Sequence, residues 1–417
     1  MNNKIIVSRF TKIMTHGNKV ILGSRRNGKW IKISYECYEV LCLAAQEGAT
    51  ANSLIEAFED PEDKEYFDKL LKLLYKERLL VEHEEPLEYD RNFSVDIAVT
   101  NRCNLRCTHC CVDSDLTSFS DPMDTGMLKN VLKKVVMCRP KSICLTGGEP
   151  LVRKDFFEIL TYLHDIYDGE IRLMTNGTLI NRKNVNELIS CISAIDISID
   201  GIDEKTCSFV RGKGVFNKAI TSVHLLKERN FDNISLSMVL TKENFALRDE
   251  FHKLNDQLGT RAITRAFSPI GRGSDNKESL QPMEKEAQME EKRMLKFDKE
   301  DVHICVCGAL FKEIYINYRG DIYPCGLLER DKYYLGNIMD IPDLHAFLEN
   351  GDFKKSDGYH NWELLQPDKH IRCKDCDVNL FCWNCLHYLD LLDENESFFN
   401  NVCPELKQNF QRIVWGE

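Results

Sequence analysis

Three cysteines stand close together in one short stretch of the chain. Cys103, Cys107 and Cys110 are separated by three and two residues, and they follow an apolar stretch, 95–99, that is typical of a β-strand. Three thiolates on so short a loop can bind a cubane iron–sulfur cluster and leave its fourth iron without a protein ligand. A structural zinc ion would need a fourth ligand, and the neighbouring His109 would strain a tetrahedral site. The spacing therefore favours an iron–sulfur cluster.

The same stretch resembles the signature of radical S-adenosylmethionine (SAM) enzymes, in which a ring-bearing residue, here His109, precedes the third cysteine. The resemblance implies a [4Fe–4S] cluster whose open iron is chelated by the amino and carboxylate groups of SAM. In that family the reduced cluster passes one electron to the sulfonium, and a 5′-deoxyadenosyl radical is released. The protein contributes position, electrostatics and the exclusion of side reactions.

The overall composition excludes several classes of protein. The chain has 417 residues, enough for two or three domains, and a formal charge of −11, which argues against binding nucleic acid or an anionic membrane. Its apolar runs have the length of strands, and its first residues lack the apolar region of a signal peptide. We therefore expect a cytoplasmic protein with no nucleic-acid or membrane partner.

The first 88 residues have the pattern of a small winged-helix domain. A hairpin, Val20–Leu22 and Trp30–Ile33 around Asn27-Gly28, precedes three short helices and a return strand, and Ser34 is placed to cap the first helix. A DNA-binding module is one alternative, but the third helix mixes acidic and basic residues and the whole chain is acidic. Acidic residues around Pro86 are typical of a linker to the next domain.

This N-terminal domain resembles the leader-peptide recognition element that is fused to enzymes modifying ribosomally made peptides. The resemblance implies that an extended leader adds a strand to the sheet edge and lies beside the third helix, a mode that suits flexible peptides. Carried onto this sequence, the peptide-binding residues are those of the edge strand and one wall of the groove: Trp30, Ile31, Lys32, Ile33, Tyr66, Lys69, Leu73 and Lys76.

Residues 89–290 alternate strand and helix six times. The expected strands are 93–100, 141–146, 170–175, 194–200, 233–241 and 260–267. Amphipathic stretches of crossover length lie between them, and repeated crossovers of this kind build a parallel sheet with helices outside. We expect an α/β fold, a partial (β/α)6 barrel of the kind known in radical SAM enzymes, with its active site at the carboxyl ends of the strands.

Polar residues at those strand ends are the candidates for binding SAM. Gly147, Gly148 and Glu149 resemble the family motif that binds the SAM amino group, and Thr175 and Asn176 match a turn that helps hold the cofactor. On the fourth strand Asp196, Ser198 and Asp200 share one face, which favours a ligand inside the barrel because such strands are usually apolar on both faces. Ser198 with Arg211 resembles the family's pair for the SAM carboxylate; a surface salt bridge is the alternative for Arg211.

Residues 291–417 hold eight of the eighteen cysteines. Their array resembles the SPASM extension of radical SAM enzymes, which houses two auxiliary [4Fe–4S] clusters; structural zinc is the alternative. The resemblance implies a first auxiliary cluster at Cys307, Cys325 and Cys385, with Cys305 as its fourth ligand. The second would take Cys373, Cys376, Cys382 and Cys403.

This array departs from the family pattern in two places. Two residues separate Cys382 from Cys385 where three are usual, which weakens the case for Cys385. Cys305 and Cys307 stand closer together than usual, so an iron of the first auxiliary cluster is a candidate site for a substrate thiolate. Charged residues 283–300, before the array, are expected to form a solvated helix. The seven cysteines outside both groups are expected in the apolar core; of these, Cys111 also adjoins the SAM-cluster cysteines.

The order of the three domains resembles maturases that install cross-links in ribosomally made peptides, of the sactipeptide and ranthipeptide type. It implies three [4Fe–4S] clusters, SAM, a precursor peptide with a leader, and a reductant such as flavodoxin or ferredoxin. We expect a thioether between a cysteine and a carbon of another residue; carbon–carbon cross-linking is the alternative. Gly326 stands where sulfatase-maturing relatives have Asp, which disfavours that activity. An electron carrier or a peptide-binding regulator would not need the SAM-binding residues.

Overall fold

The computed structural model describes residues 4–83, 93–117, 121–282, 302–383, 385–393 and 395–416. The expected linker around Pro86 and the expected helix over 283–300 lie outside these residues. The chain divides into two compact units. The first contains 1–88, 291–307 and 361–417, and the second contains 89–290 and 308–360. Across the described ranges no helix is both long and apolar enough to span a membrane.

The N-terminal part of the first unit has the expected hairpin, three helices and return strand. Its elements are β1 (Ile6–Val7), β2 (Thr11–His16), β3 (Lys19–Ser24), β4 (Trp30–Ser34), α1 (Tyr35–Gln46), α2 (Ala51–Ala57), α3 (Pro61–Lys76) and β5 (Leu80–Val81). The strands β2, β3 and β4 form an antiparallel sheet in that order, and β1 pairs with β5. Ser34 caps α1 as expected, because its Oγ accepts a hydrogen bond from the Cys37 N–H at 3.2 Å. In the β3–β4 turn only Gly28 of the Asn27-Gly28 pair has a positive φ.

The sheet β2-β3-β4 is buried on both faces because apolar residues occupy successive positions of β3. Val20 and Leu22 point to the core formed with α1, α2 and α3, whereas Ile21 lies in a second core. That second core is formed with residues from the end of the chain and from the stretch after 301, among them Ile304 and Trp415. The C-terminal helices of this unit are α14 (Asn379–Cys382), α15 (Leu386–Leu392) and α16 (Cys403–Val414). The N-terminal sheet and the C-terminal cysteine segments therefore share one core.

The second unit contains the six parallel strands expected from the sequence. They are β6 (Ser94–Thr100), β7 (Ser142–Gly147), β8 (Glu170–Thr175), β9 (Ala194–Ser198), β10 (Ile234–Leu240) and β11 (Arg261–Ala266). Each strand pairs in parallel with the next. The helices are α4 (Thr125–Met137), α5 (Phe156–Ile166), α6 (Val185–Cys191), α7 (Glu204–Arg211), α8 (Val215–Lys227), α9 (Arg248–Leu258), α10 (Arg272–Asp275) and α11 (Lys277–Leu280). The helix α7, which ends at Arg211, was not anticipated.

Three further strands extend this sheet to nine and make it mixed. They are β12 (Glu313–Ile316), β13 (Asp321–Tyr323) and β14 (Gly336–Asn337), followed by the helices α12 (Leu344–Glu349) and α13 (Asp357–Leu364). The strand β12 pairs in parallel with β6, and β13 and β14 follow antiparallel. The expectation of a separate domain over 291–417 therefore differs from the structure. Pairing with the free edge of β6 places residues 308–360 in the unit that holds the barrel strands.

Short helical turns complete the description. The 3-10 turns are Pro150–Val152, Phe245–Leu247, Gly326–Leu328, Asp331–Tyr333 and Asp352–Lys355, and a π-helical turn covers Phe398–Val402.

Candidate active site

The three cysteines of residues 103–114, here called the cluster loop, follow directly after β6. Cys103 and Cys107 are buried, and Cys110 is partly buried. N–H groups surround each sulfur: Leu105 N lies 3.4 Å from Cys103 Sγ, Ser114 N lies 3.4 Å from Cys110 Sγ, and Arg211 Nη1 lies 3.9 Å from Cys107 Sγ. Such donors stabilise the negative charge of cluster thiolates. The residues present therefore fit an iron–sulfur cluster.

Burial opposes ionisation of these thiols when no metal is bound. It raises the pKa of Cys103 to about 12, against the lowering effect of the Leu105 N–H. Burial also raises the pKa of Cys107, although the Arg211 guanidinium opposes this. A bound metal replaces the thiol proton, so cluster assembly at this loop would release protons.

Arg272 binds backbone carbonyl groups of the cluster loop, a role that was not predicted from the sequence. Its guanidinium donates from Nη1 to the carbonyl of Cys107 at 3.0 Å and from Nη2 to that of Ser114 at 2.7 Å. Arg272 is buried and also pairs with Asp113 at 2.8 Å. Nearby, Asn276 Nδ2 donates to the carbonyl of Thr108 at 3.1 Å. The flanking Gly271 and Gly273 indicated a turn, but no ligand-binding pattern marked the arginine.

We expect Arg272→Lys to weaken the cluster loop, because lysine keeps the charge but cannot bridge two carbonyls with a planar fork. The free energy of unfolding should fall by about 1–3 kcal/mol, since one buried acceptor loses its partner. Iron and sulfide content of the anaerobically reconstituted protein should fall as well. Arg106→Lys is the matched control because that side chain is 73% exposed on the same loop. Equal iron content and stability in both variants would contradict this role.

His109, Asp200 and Arg211 form a buried charged cluster. Asp200 Oδ2 lies 2.9 Å from His109 Nε2 and 2.5 Å from Arg211 Nε. Burial by itself raises the pKa of Asp200, but the Arg211 guanidinium and the hydrogen-bonded His109 outweigh it and hold the pKa well below its usual range. Among the described residues, His109 Nδ1 is buried and has no hydrogen-bond partner, which fits a polar ligand beside it. The cluster joins the loop to the end of α7, where Thr108 N also donates to the Val210 carbonyl at 3.0 Å.

The two glycines after β7 bring this strand end against the start of the cluster loop. A Cβ on Gly147 would lie 2.1 Å from the Thr100 carbonyl oxygen, and one on Gly148 would lie 2.4 Å from that of Arg102. Gly148 N donates to the Thr100 carbonyl, and Glu149 N donates to that of Arg102, both at 2.9 Å. The glycines are therefore required by backbone packing whether or not a ligand approaches them.

Glu149, Thr175 and Asn176 connect the ends of β7 and β8 to the cluster loop. Glu149 is completely buried and accepts hydrogen bonds from Thr175 Oγ1 and Asn176 N, both at 2.7 Å. Asn176 Nδ2 donates to Asn104 Oδ1 at 2.9 Å and lies 3.9 Å from Cys103 Sγ. The structure thus brings these predicted cofactor-binding residues together beside the cysteines.

Ser198 and Arg211, the expected pair for the SAM carboxylate, each have a partner within the chain. Ser198 Oγ lies 3.2 Å from Ser237 Oγ, while Arg211 pairs with Asp200. On the same face of β9, Asp196 Oδ2 accepts a hydrogen bond from Arg265 Nη2 at 2.8 Å, whereas Asp196 Oδ1 is buried with no hydrogen-bond partner among the described residues.

Buried acids near β6 and β12 were also missed by the sequence reading. Burial raises the pKa of Asp96 to about 6 and the pKa of Glu313 to about 7, and Asp96 adds to the shift of Glu313. Burial likewise raises the pKa of Glu329, although hydrogen bonds from Asn317 and Tyr315 oppose this. A carboxylate in the middle of the apolar stretch 95–99 was the available signal for the first of them.

The C-terminal cysteines of the first unit fall into two groups. In the larger group, Cys382 lies within electrostatic range of Cys373, Cys376 and Cys403. Hydrogen bonds from the Trp383 side chain to Cys373 and from the Val378 backbone to Cys376 lower the pKa values of these thiols, which burial raises. These four cysteines are the ligands expected for the second auxiliary cluster.

The smaller group contains Cys305, Cys307 and Cys385. Burial raises the pKa of Cys305 to about 11; the Cys307 N–H, which hydrogen-bonds to that sulfur, opposes the shift, and both other thiols add to it. Cys325, the remaining expected ligand, follows β13 in the second unit. Within the described ranges no three His, Cys, Asp or Glu side chains gather as a site for a single metal ion.

The predicted peptide-binding residues occupy two surfaces of the N-terminal part. Tyr66, Lys69, Leu73 and Lys76 are exposed along one side of α3, with Tyr66 46% and Leu73 41% exposed. Two side chains of the edge strand β4 are engaged within the chain. Trp30 Nε1 donates to the Val302 carbonyl and Lys32 Nζ to the Val414 carbonyl, both at 2.8 Å. The helix face is therefore the more open of the two surfaces.

Comparisons with known proteins agree with this arrangement. The family model of the radical SAM superfamily matches residues 97–254, and the SPASM model, an iron–sulfur cluster-binding domain, matches residues 305–377. The mycofactocin maturase MftC of Mycolicibacterium smegmatis is 28% identical over 315 residues, covering 69% of this chain and 77% of that protein. The subtilosin biosynthesis protein AlbA of Bacillus subtilis is 24% identical over 416 residues, covering 91% of this chain and 89% of that protein.

The fold also resembles a solved structure, Streptococcus suis SuiB bound to S-adenosylmethionine. The TM-score is 0.55 at 16% sequence identity, and the match covers 94% of this chain and 97% of that chain. At this identity the likeness shows the fold alone. The two matched family models, with the cysteine loop after β6, imply iron–sulfur clusters and SAM as cofactors. This chain carries a radical SAM domain followed by a SPASM iron–sulfur cluster-binding domain.

Proposed function

We propose that this protein is a radical SAM enzyme that installs intramolecular thioether cross-links in a ribosomally made precursor peptide. The observation that carries the proposal is the cluster loop, whose three sulfurs each have an N–H donor and which is hydrogen-bonded to Asn176 after β8 and to Val210 in α7. If the charged and polar groups around this loop had only a structural role, three thiols would not be needed beside them. Two curated relatives, a mycofactocin maturase and a bacteriocin biosynthesis protein, support a peptide substrate.

Residues of the cluster loop and of the neighbouring strand ends would hold the cofactors. Cys103, Cys107 and Cys110 would bind the SAM cluster; Glu149 and Asn176, at the strand ends beside it, are the proposed contacts of SAM together with Thr175, Gly147, Gly148, Ser198 and Arg211. When bound, the cluster and SAM supply a radical able to abstract hydrogen from carbon. The chain's own part is to exclude water and to keep the loop in one conformation, and the buried His109–Asp200–Arg211 cluster does the latter.

The N-terminal part is proposed to bind the leader of the precursor peptide. Its support is the exposed face of α3, where Tyr66 and Leu73 offer apolar contacts and Lys69 and Lys76 offer positive charge. Surface aromatic and aliphatic residues in one row are suited to a peptide that docks in extended form. A structure of SuiB bound to its precursor peptide SuiA provides a precedent in a protein of similar fold.

Thioether formation is the leading proposal and carbon–carbon cross-linking the alternative; the auxiliary cysteines support both, because either cross-link needs an electron acceptor. The proposed ligands are Cys305, Cys307, Cys325 and Cys385 for one cluster and Cys373, Cys376, Cys382 and Cys403 for the other, giving three [4Fe–4S] clusters in all. Forming either type of cross-link removes two hydrogens from the peptide, so two electrons must leave it. One electron would leave with the hydrogen atom that the SAM-derived radical abstracts, and the other would pass to an auxiliary cluster while the second hydrogen leaves as a proton. An external reductant such as flavodoxin or ferredoxin would supply the separate electron that cleaves SAM.

The reaction can be tested with the reconstituted protein, SAM, dithionite and any short cysteine-containing peptide encoded by a reading frame next to its gene. We expect SAM-dependent 5′-deoxyadenosine and a product lighter by two hydrogens for each cross-link. Because a thioether consumes a thiol, the product should take up one iodoacetamide fewer per cross-link after reduction. A product that has lost two hydrogens but alkylates at every cysteine would contain a carbon–carbon link and would overturn the thioether. Absence of 5′-deoxyadenosine would overturn the enzymatic proposal itself.

A further inference from the structure

The N-terminal hairpin is in direct contact with the chain segment that leads to Cys305. Ile304 N donates to the Gly28 carbonyl at 3.0 Å, and Trp30 Nε1 donates to the Val302 carbonyl at 2.8 Å. A Cβ on Gly23 would lie only 2.9 Å from two carbons of the Ile304 side chain, so β3 and this segment meet at van der Waals distance. The hairpin therefore holds the backbone of residues 302–304 in place directly before Cys305, a proposed ligand of the first auxiliary cluster.

Arg25 extends from the end of β3 into the same region. It is 9% exposed and lines a small cavity together with Cys305, Gln366 and Asp368. Burial lowers the pKa of Arg25, and the nearby Cys305, Cys307 and Asp368 oppose that shift. The other cation at the cavity, Lys12, is paired with Asp368 at 2.5 Å. Arg25 and Lys12 are the cations among the described residues that line this cavity. Arg25 is the more buried of the two, since the Lys12 side chain is 24% exposed.

A buried cation at this position has a clear electrostatic consequence for a cluster. Cubane clusters with thiolate ligands are negatively charged, and their reduction potentials depend on net charge, hydrogen bonds to sulfur and solvent exposure. A positive charge in a site of low dielectric stabilises the reduced, more negative form more than the oxidised form. It also offsets part of the cost of burying the thiolates. The three thiols at Cys305, Cys307 and Cys385, with a backbone N–H on the first, fit such a cluster.

We propose that Arg25 is a positioning residue of the first auxiliary cluster. Its positive charge raises the reduction potential of that cluster, and its place after β3 links the cluster to the N-terminal hairpin. The sequence predicts that a leader peptide adds to the edge strand β4, so the same hairpin would contact the peptide along β4 and the cluster environment at the turn between β3 and β4. The inference rests on the proposed cluster ligands and does not depend on which bond the enzyme forms.

The test uses full-length protein in which Cys103, Cys107 and Cys110 are alanine, so that only auxiliary clusters are present. Midpoint potentials are measured by an EPR-monitored redox titration after anaerobic reconstitution. In the same background, Arg25→Met should lower the midpoint potential of one cluster and leave the other unchanged, and Arg25→Lys should restore most of the loss. Further replacement of Cys373 and Cys376 by alanine should leave the shifted signal in place, identifying it as the first auxiliary cluster.

Arg26→Met is the matched control because Arg26 lies over the ring of Phe10 at 4.2 Å, next along the chain. It should leave both potentials unchanged. Iron content and thermal unfolding of each variant establish that it is folded and loaded. Equal midpoint potentials in a folded, fully loaded Arg25→Met protein would overturn the proposal. If the triple-cysteine variant bound no iron, the auxiliary clusters would not exist and the proposal would be overturned. If the protein bound iron but did not cross-link the peptide, the potentials could still be measured and the inference would stand.

Discussion

Replacing Cys107 with alanine should reduce 5′-deoxyadenosine formation to the background level. Cys107 is buried in the middle of the cluster loop, and its sulfur has the Arg211 guanidinium 3.9 Å away. Loss of this thiolate leaves only Cys103 and Cys110 of the three proposed ligands for the cluster. The measurement is chromatography of the nucleoside products after incubation with SAM and dithionite.

The matched control for this variant is Cys191→Ala. Cys191 is a buried cysteine at the end of α6, outside both groups of proposed ligands, so its loss removes only a small apolar contact. Iron and acid-labile sulfide should fall in Cys107→Ala to the amount held by the auxiliary clusters and stay unchanged in Cys191→Ala. Turnover in Cys107→Ala equal to that of the unaltered protein would exclude the radical SAM reaction at this loop.

Replacing Asp200 with asparagine should lower the free energy of unfolding by about 3–5 kcal/mol, because it removes one charge from a buried ionic cluster and leaves Arg211 without its anion. Asparagine is the appropriate variant since Asp200 has a φ of +47°, which Asn tolerates better than most residues. Because the pKa of Asp200 is lower in the folded protein than in the unfolded chain, Asp200 contributes to the free energy of unfolding at pH values above its pKa in the unfolded chain. This stabilisation is lost as the pH falls through the pKa of Asp200 in the folded protein. The Asp200→Asn variant should not show this loss of stability at acid pH.

Urea unfolding at neutral pH measures the effect, with Asp232→Asn as the control. Asp232 also forms an ion pair, with Lys227 at 2.8 Å, but its side chain is 77% exposed. Such surface pairs contribute about 0–1 kcal/mol, so the control should change stability little. Equal effects of the two substitutions would show that the His109–Asp200–Arg211 cluster does not stabilise the site.

Much of the barrel could be predicted from the sequence because its information is local. The six strands alternate with amphipathic helices, and the observed bounds of β6 to β11 differ from the expected ones by at most two residues at either end. The cysteine spacing of the cluster loop is likewise local: three ligands within eight residues must share one centre if they bind a metal at all. Ser34 as the cap of α1 belongs to the same class.

The roles of individual charged residues followed from the tertiary structure. Arg211 matched a family pattern for the SAM carboxylate, yet its partner in the structure is Asp200, which the α7 helix brings beside it. Arg272 carries no motif, and its importance comes from two carbonyl groups more than a hundred residues away in the chain. A charged side chain does not encode its partner, because many arrangements of the backbone would satisfy the same charge.

The sequence by itself determined the alternation of strands and helices in the barrel, and it predicted an iron–sulfur cluster at the cluster loop and two groups of C-terminal cysteine ligands, since each depends on residue types at short, regular separations. Only the tertiary structure decided that β12 continues the barrel sheet, that the N-terminal sheet packs on the segment before Cys305, and that Arg25 and Cys305 line the same cavity. The physical reason is that an exposed strand edge or a buried charge can be satisfied by many distant partners, and burial of apolar surface across the whole fold selects among them.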